Sequence, residues 1–263
     1  MTSRGPLNQV THSSFDPAFV RAILLDIEGT TTPIAFVHEV LFPFVRSHVT
    51  DYLVTHAGTA ETDADIAGLL QEHAVDVTHQ LEPPPPLIDG PRHERIESIV
   101  AYVEWLIDRD RKSTALKSLQ GKIWRQGYAD QSLKAPIFAD VPPALARWRA
   151  ALLKTSIFSS GSVLAQQLLF AHTEAGDLTH LIESYFDTAT GPKTATDSYK
   201  DIALALRQSE PEVLFISDAV AELNAASVAG MQTLLCVRPG NSFQIAGPHQ
   251  VIRSFDEVLD LPS

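Results

Sequence analysis

Two carboxylates stand two positions apart just beyond an apolar run: Arg21–Ile34 reads Arg-Ala-Ile-Leu-Leu-Asp-Ile-Glu-Gly-Thr-Thr-Thr-Pro-Ile. The run Ala22–Leu25 predicts a buried strand of a parallel sheet. Asp26 and Glu28, two apart in extended chain, then face the same space past the strand end. Open α/β sheets bind ligands at that edge. Carboxylates there serve as a nucleophile, a general acid/base or ligands of a divalent cation, although a helix cap and turn would also use them. Three further polar clusters follow apolar runs: Ser159-Ser160-Gly161-Ser162 after Thr155–Phe158, Lys193 within Gly191-Pro192-Lys193, and Asp218 with Glu222 after Val213–Ile216. Each has an ordinary use as well. Ser162 suits a helix N-cap, Lys193 a solvated loop, Asp218 a cap, and Glu222 the favourable end of a helix dipole. Lys200 competes with Lys193, but it lies within an amphipathic helical pattern, where solvation is the expectation.

Four such clusters at one sheet edge describe phosphoryl transfer through an aspartyl-phosphate. A carboxylate would attack phosphorus, a hydroxyl with backbone N–H groups would hold the phosphate oxygens, and a lysine would neutralise charge. The carboxylates near the nucleophile would hold Mg²⁺, a hard cation that keeps oxygen ligands and bridges to phosphate. No Gly-x-x-x-x-Gly-Lys-Ser/Thr, no Gly-x-Gly-x-x-Gly after a strand and no zinc-type His/Cys spacing is present. His38, His48, His56 and His73 fall in helical patterns, where structural or solvated roles are expected.

The elements that must carry these groups alternate in an uneven way. After the first strand, Phe36–Leu53 has helical periodicity with Pro43 as a kink. A second helical pattern runs through Ile66, Leu69, Leu70 and Val77, and Leu81–Pro91, with Pro83–Pro86, reads as a stiff extended linker. Arg92–Arg109 and a segment through Leu116–Trp124 are again helical. From Val141 strands and helices alternate: helix Pro142–Leu153 with Leu145, Trp148 and Leu152 inward, strand Thr155–Phe158, helix Val163–Ala171, and a strand near Ser184–Phe186. Helix Ser198–Arg207, strand Val213–Ile216, helix Ala219–Ala229, strand Thr233–Val237 and a turn at Arg238-Pro239-Gly240-Asn241 follow. The expected fold is α/β, a doubly wound parallel sheet with an all-helical cap inserted after the first strand. Residues 19–35 and 136–263 would form the core, 36–135 the cap and 1–18 a loose tail. A cap over the strand-end site would exclude water.

The bulk properties narrow the partners. The 263 residues carry a net charge of −12, which disfavours nucleic acid and anionic membranes while leaving a locally neutralised phosphate ester admissible. Cys236 stands alone, so no internal disulfide forms and a reducing compartment is expected, cytoplasmic with a nuclear share allowed. Met1–Pro17 lacks the apolar stretch of a signal peptide, and a monomer is the default.

The order of clusters resembles the haloacid dehalogenase-like hydrolases, and more closely their enolase-phosphatase branch in methionine salvage. The resemblance runs from about Ala22 to Phe255. It rests on Leu25-Asp26-Ile27-Glu28-Gly29-Thr30-Thr31, Leu119-Gln120-Gly121-Lys122-Ile123-Trp124, Ile157–Ser162, Gly191-Pro192-Lys193, Ser217-Asp218, Glu222-Leu223 and Arg238–Asn241. The family as a whole has Asp two residues after its nucleophile, whereas this branch, like this chain, has Glu28. The resemblance implies an enzyme with one Mg²⁺ that enolises 2,3-diketo-5-methylthiopentyl-1-phosphate and then hydrolyses its phosphate. It assigns Asp26 as nucleophile and metal ligand, Glu28 as general acid/base that also lends its backbone carbonyl to the metal, and Asp218 as the second metal carboxylate. Ser159, Ser160 and Lys193 bind phosphate, and Glu222 supports through metal-bound water. Two departures stand out: Asn224 where relatives often carry an acid, and Gln131 where a glycine is expected. A phosphatase for another ester, a dehalogenase and a catalytically silent interaction protein remain the alternatives.

Overall fold

The computed structural model describes residues 15–79 and 82–259. The expected tail lies mostly outside these residues; at its end Pro17–Phe19 make one 3-10 turn whose start is capped by the Asp16 side chain. Six strands, β1 (Ala22–Leu25), β2 (Lys154–Phe158), β3 (Ser184–Phe186), β4 (Val213–Ser217), β5 (Gln232–Cys236) and β6 (Gln250–Ile252), form one sheet in the order β3-β2-β1-β4-β5-β6. Every neighbouring pair is parallel. Ala22, Ile23, Leu24 and Leu25 are all fully buried, as a central parallel strand covered on both faces must be. The chain leaves β1 toward β2 and β3 on one side and toward β4 to β6 on the other, which makes β1 the switch point where α/β sheets bind ligands.

Compact packing divides the chain into two units. The first contains the sheet: the described chain up to Thr31, then Asp140–Phe158 and the part from Leu181 on. It includes α6 (Val141–Ala150), α8 (Thr196–Leu206) and α9 (Val220–Ala229), with α6 on β2 and α9 on β4 and β5. Its core centres on Tyr199, whose ring lies 5.6 Å from Phe158 and 5.1 Å from Phe215. Strand β6 was not expected from its sequence; it is a three-residue edge whose first residue is exposed, too short to show an alternation. The inward side of α6 carries Leu145 and Trp148 as expected, but Leu152 is 90% exposed. The helix has already ended at Ala150, and Leu152 turns into the left-handed region at φ 61°.

The second unit, Thr32–Ala139 with Ser159–His180, is helical. It holds α1 (Ile34–Phe36), α2 (Phe42–His56), α3 (Ala60–His79), α4 (Arg92–Asp108), α5 (Thr114–Ala129) and α7 (Val163–Ala171). Between α1 and α2, Val37–Leu41 winds as a π-helix and the Phe42 N–H reaches back five residues to the Val37 carbonyl. Pro43 follows at the start of α2, so the expected kink takes the form of this wider turn. The indole N–H of Trp124 donates to the Leu41 carbonyl of the same turn at 3.0 Å.

The stripe expected for α3 is only partly correct. Leu69 is buried, but Leu70 and Val77 are exposed, and the inward face instead presents Thr62, Asp65, His73 and Asp76. The three ionisable groups are tolerated there because each finds a partner. Asp65 pairs with Lys122 at 2.6 Å, His73 Nε2 lies 2.8 Å from the Pro85 carbonyl, and Asp76 binds Tyr102 and Arg111, each at 2.7 Å. The proline run is accordingly an extended strap fastened to α3. Gln131, where a glycine is expected, sits just past α5 with φ 65°, the conformation that glycine adopts without strain.

Asn224, where an acid is common in relatives, carries its Oδ1 2.9 Å from His249 Nε2, and His249 Nδ1 lies 2.8 Å from Thr233 Oγ1. Burial holds the His249 pKa below its ordinary value. A depressed histidine takes up its proton more readily in the unfolded chain, so stability is lost as pH falls below about 6.5. His249→Gln should therefore lose less stability than the parent between about pH 7 and pH 5 in urea titrations. Equal slopes for the two proteins would rule out this contribution.

Candidate active site

The ladder of β1 sets the register of the site. Leu25 is level with Ile216 of β4 and Ile157 of β2, so the next residue, Asp26, comes level with Ser217 and Phe158. The Asp26 N–H extends the ladder by one bond to the Ile216 carbonyl at 3.0 Å, and its carboxylate is buried at the sheet edge. Lys193 meets it there: Nζ is 2.6 Å from Asp26 Oδ1 and 2.7 Å from Glu222 Oε2. The Ser217 hydroxyl bonds Glu222 Oε2 at 3.1 Å and lies 3.4 Å from Asp26 Oδ2. Asp26, Lys193, Ser217 and Glu222 thus form one closed polar cluster.

The lysine loop is built for this placement. Gly191 has φ 143°, and a Cβ there would lie 2.3 Å from the Ser198 hydroxyl oxygen, so only glycine fits. That hydroxyl donates to the Pro192 carbonyl at 2.8 Å, and the Tyr199 hydroxyl donates to the Lys193 carbonyl at 2.6 Å. Tyr199 is the centre of the core, so the lysine backbone is referenced directly to the sheet. Among the described residues Lys200 faces out and pairs with exposed Asp197, whereas Lys193 is the lysine that meets Asp26.

Asp218 does not cap α9. The N-cap position is Ala219, without a side-chain cap, and the Ala219 N–H is met by Ser217 Oγ at 3.1 Å. The Asp218 carboxylate instead turns toward β1: a Cβ on Gly29 would fall 2.3 Å from its Oδ2. Gly29, at φ 71°, is therefore required both by its backbone and by the approach of this carboxylate.

The charges do not balance, and the titration of the groups records it. Burial alone would lower the Lys193 pKa, but the charges of Asp26 and Glu222 and their hydrogen bonds outweigh it, so the ammonium is held charged. Burial and the Asp26 charge push Asp218 up to about 7, Glu28 adding to the effect and Lys193 opposing it. Burial and Asp26 likewise raise Glu222 against Lys193 and Ser217. One lysine thus faces three acids, and the site has excess negative charge.

No three His, Cys, Asp or Glu side chains among the described residues converge as a ready-made metal cage. Asp26 and Asp218 nevertheless suit a cation such as Mg²⁺, which takes one or two carboxylates and leaves its other positions to water and phosphate. Burial first and the Asp26 charge second raise the Asp218 pKa, and a cation beside both carboxylates would offset the second of these.

The expected site residues Asp26, Glu28, Lys193, Asp218 and Glu222 all belong to the sheet unit, with Glu28 half-buried beside buried Asp26. Glu222 bonds Lys193 directly, a role not anticipated for it. Ser159 and Ser160 belong to the helical unit, where Ser159 Oγ accepts the Gly161 N–H at 3.1 Å and Ser162 caps α7 as expected. Sequence reading missed Ser198 and Tyr199, which have no motif of their own, and gave no role to Ser217, Arg238 or Asn241. Buried Arg238 pairs with Asp140 at 2.8 Å and donates to the Thr30 carbonyl at 3.1 Å.

The haloacid dehalogenase-like hydrolase family model matches residues 20–230. The enolase-phosphatase E1 of Synechococcus elongatus is 51% identical over 242 residues, covering 92% of this chain and 99% of that protein. The enolase-phosphatase E1 of Sorangium cellulosum is 46% identical over 238 residues, covering 90% and 97%. Among solved structures, the UTR4 protein of Saccharomyces cerevisiae superposes with a TM-score of 0.72 at 35% identity, over 91% of this chain and all of that one.

Lys193→Met should expose what the lysine offsets. The raised acids hold protons in the folded state that the unfolded chain releases above about pH 4, so their contribution to stability declines as pH rises toward about 7. Without Lys193 that decline steepens. We expect a loss of about 3–5 kcal/mol near pH 8 in chelator, shrinking near pH 5, by urea denaturation. A loss independent of pH would refute the charge account.

Proposed function

We propose that this chain, which belongs to the haloacid dehalogenase-like hydrolases and among them to the enolase-phosphatases E1, converts 2,3-diketo-5-methylthiopentyl-1-phosphate to the acireductone 1,2-dihydroxy-3-keto-5-methylthiopentene and phosphate. The reaction belongs to methionine salvage and passes through an enol and an aspartyl-phosphate. The observation that carries the reading is Asp26, buried at the end of the central strand and bonded to Lys193, with Glu rather than Asp two residues on.

The residues divide the work as follows. Lys193 holds the Asp26 carboxylate in place and lowers the repulsion that an incoming phosphate would meet. Asp26 attacks phosphorus through a carboxylate oxygen, and the bond to the substrate oxygen breaks. Glu28 gives its proton to that leaving oxygen, then takes one from the water that attacks the aspartyl-phosphate. The phosphorus–Asp26 bond breaks, the carboxylate is restored and phosphate departs. Ser159 and Ser160 are assigned to the phosphate oxygens from their position directly after β2 in the chain. Asp26, Asp218 and the Glu28 backbone carbonyl would hold one Mg²⁺, whose charge would offset that of the phosphoryl group and of the oxygen that becomes the enol. Glu222 keeps Lys193 aligned through its bond to the ammonium.

The diketo phosphate, supplied with Mg²⁺, tests the reading when enol absorbance and free phosphate are followed together. Parent protein should form enol and then release phosphate. Asp26→Asn should lose at least about a thousandfold in phosphate release, and Glu28→Gln about 10²–10⁴-fold. Phosphate release from simple esters with no enol signal would instead make this a phosphatase of another ester.

A further inference from the structure

The two acid loops, one carrying Asp26 and Glu28 and the other Asp218, are tied together by a third segment that neither belongs to. After β5 the chain runs through Asn241-Ser242-Phe243-Gln244. Asn241 Nδ2 donates to the Gly29 carbonyl at 2.9 Å. Gln244 Nε2 donates to the Asp218 carbonyl at 2.8 Å, and its Oε1 accepts the Val220 N–H at 2.9 Å. Phe243 is 92% exposed and Ile245 80%, so apolar packing does not place this segment. Its amides do.

The Asn241 amide is oriented by its partner, because a carbonyl accepts and only the NH₂ can donate to it. Its Oδ1 is therefore aimed the other way. That oxygen is buried and has no hydrogen-bond partner among the described residues. It lies 2.9 Å from the point where a Gly29 Cβ would be, and Asp218 Oδ2 lies 2.3 Å from the same point. Both oxygens thus close on one spot of the acid loop. A buried acceptor left unmatched costs about 1–3 kcal/mol, so this atom calls for a donor.

We propose that Asn241 and Gln244 form an amide clamp that holds the Asp218 loop against the Asp26–Glu28 loop at the spacing a divalent cation requires, with Asn241 Oδ1 accepting from the hydration shell of that cation. The clamp rests on the Mg²⁺ reading given above. Both are positioning residues: each acts on backbone that carries a ligand, and neither meets the reacting atoms.

Mg²⁺ titrated calorimetrically into the full chain, without substrate, tests it on the parent, Asn241→Ala, Gln244→Ala, Gln244→Glu and the double alanine variant. Each single change should weaken Mg²⁺ about 10–100-fold, the range for groups that orient metal ligands. Gln244→Glu keeps the bond from Val220 but loses the donor to Asp218, so it should behave as the alanine variant does. The double variant should fall short of the product of the singles, because they act on one spacing. At saturating Mg²⁺, kcat should recover in Gln244→Ala. Its metal-free melting temperature should match the parent, since the side chain is exposed. Single variants within about twofold of the parent in Mg²⁺ affinity would overturn the clamp while leaving the metal reading intact. A parent that binds no Mg²⁺ would overturn the metal reading and the clamp with it.

Discussion

A lysine ammonium held between two buried carboxylates is the interaction to which the sheet unit is fitted. Lys193 lies within 2.7 Å of both Asp26 and Glu222, and all three side chains are largely out of water. Unit charges about 4 Å apart interact by about 4 kcal/mol at the effective dielectric of such places, so a misplaced member is costly. Three devices keep them in place: the β1–β4 ladder sets Asp26, Tyr199 and Ser198 hold the lysine loop, and Ser217 fixes Glu222. Tyr199 joins core to chemistry, with its ring among Phe158 and Phe215 and its hydroxyl on the Lys193 carbonyl.

The same cluster is short of positive charge, and this is the mark of a site shaped for a ligand. Buried structural ion pairs in the helical unit come out even: Asp65 has Lys122, and Asp76 has Arg111 with Tyr102. At the strand ends Asp26, Asp218 and Glu222 share one lysine, and burial drives the Asp218 pKa to about 7. Such an arrangement is unfavourable in isolation, and strained groups of charge like this one cluster at functional sites. The close approach of Asp218 to the backbone of Gly29 serves the same end, bringing the acid loops of adjacent strands together where any side chain would keep them apart.

The helical unit shows how the motif Gln120-Gly121-Lys122-Ile123-Trp124 acts within its own body. Trp124 answers a carbonyl of the π turn, Lys122 neutralises Asp65, and Gly121 lets Leu164 of α7 approach to 3.1 Å of where its Cβ would be. Gly121, Lys122 and Trp124 thus fasten helices of this unit to one another.

Much of the protein was legible from the chain alone. Apolar runs ending in Asp26, Phe158 and Asp218 announced parallel strands, because a strand covered on both faces must be apolar along its length. The choice of Lys193 over Lys200 and the long helical stretch from Phe36 were legible for similar local reasons. Tertiary structure alone decided that α3 buries Asp65, His73 and Asp76, because a polar face can turn inward only if its partners arrive from elsewhere in the chain. It alone decided that Leu152 faces solvent beyond the end of α6 and that Glu222 bonds Lys193. It alone brought in Tyr199 and Gln244 and gave Ser217 and Asn241 their partners, through hydrogen bonds that join residues up to 212 positions apart. Local sequence determines which segments are buried strands and which groups could do chemistry; the partner of each buried polar group is set by register and loop closure, which no local pattern contains.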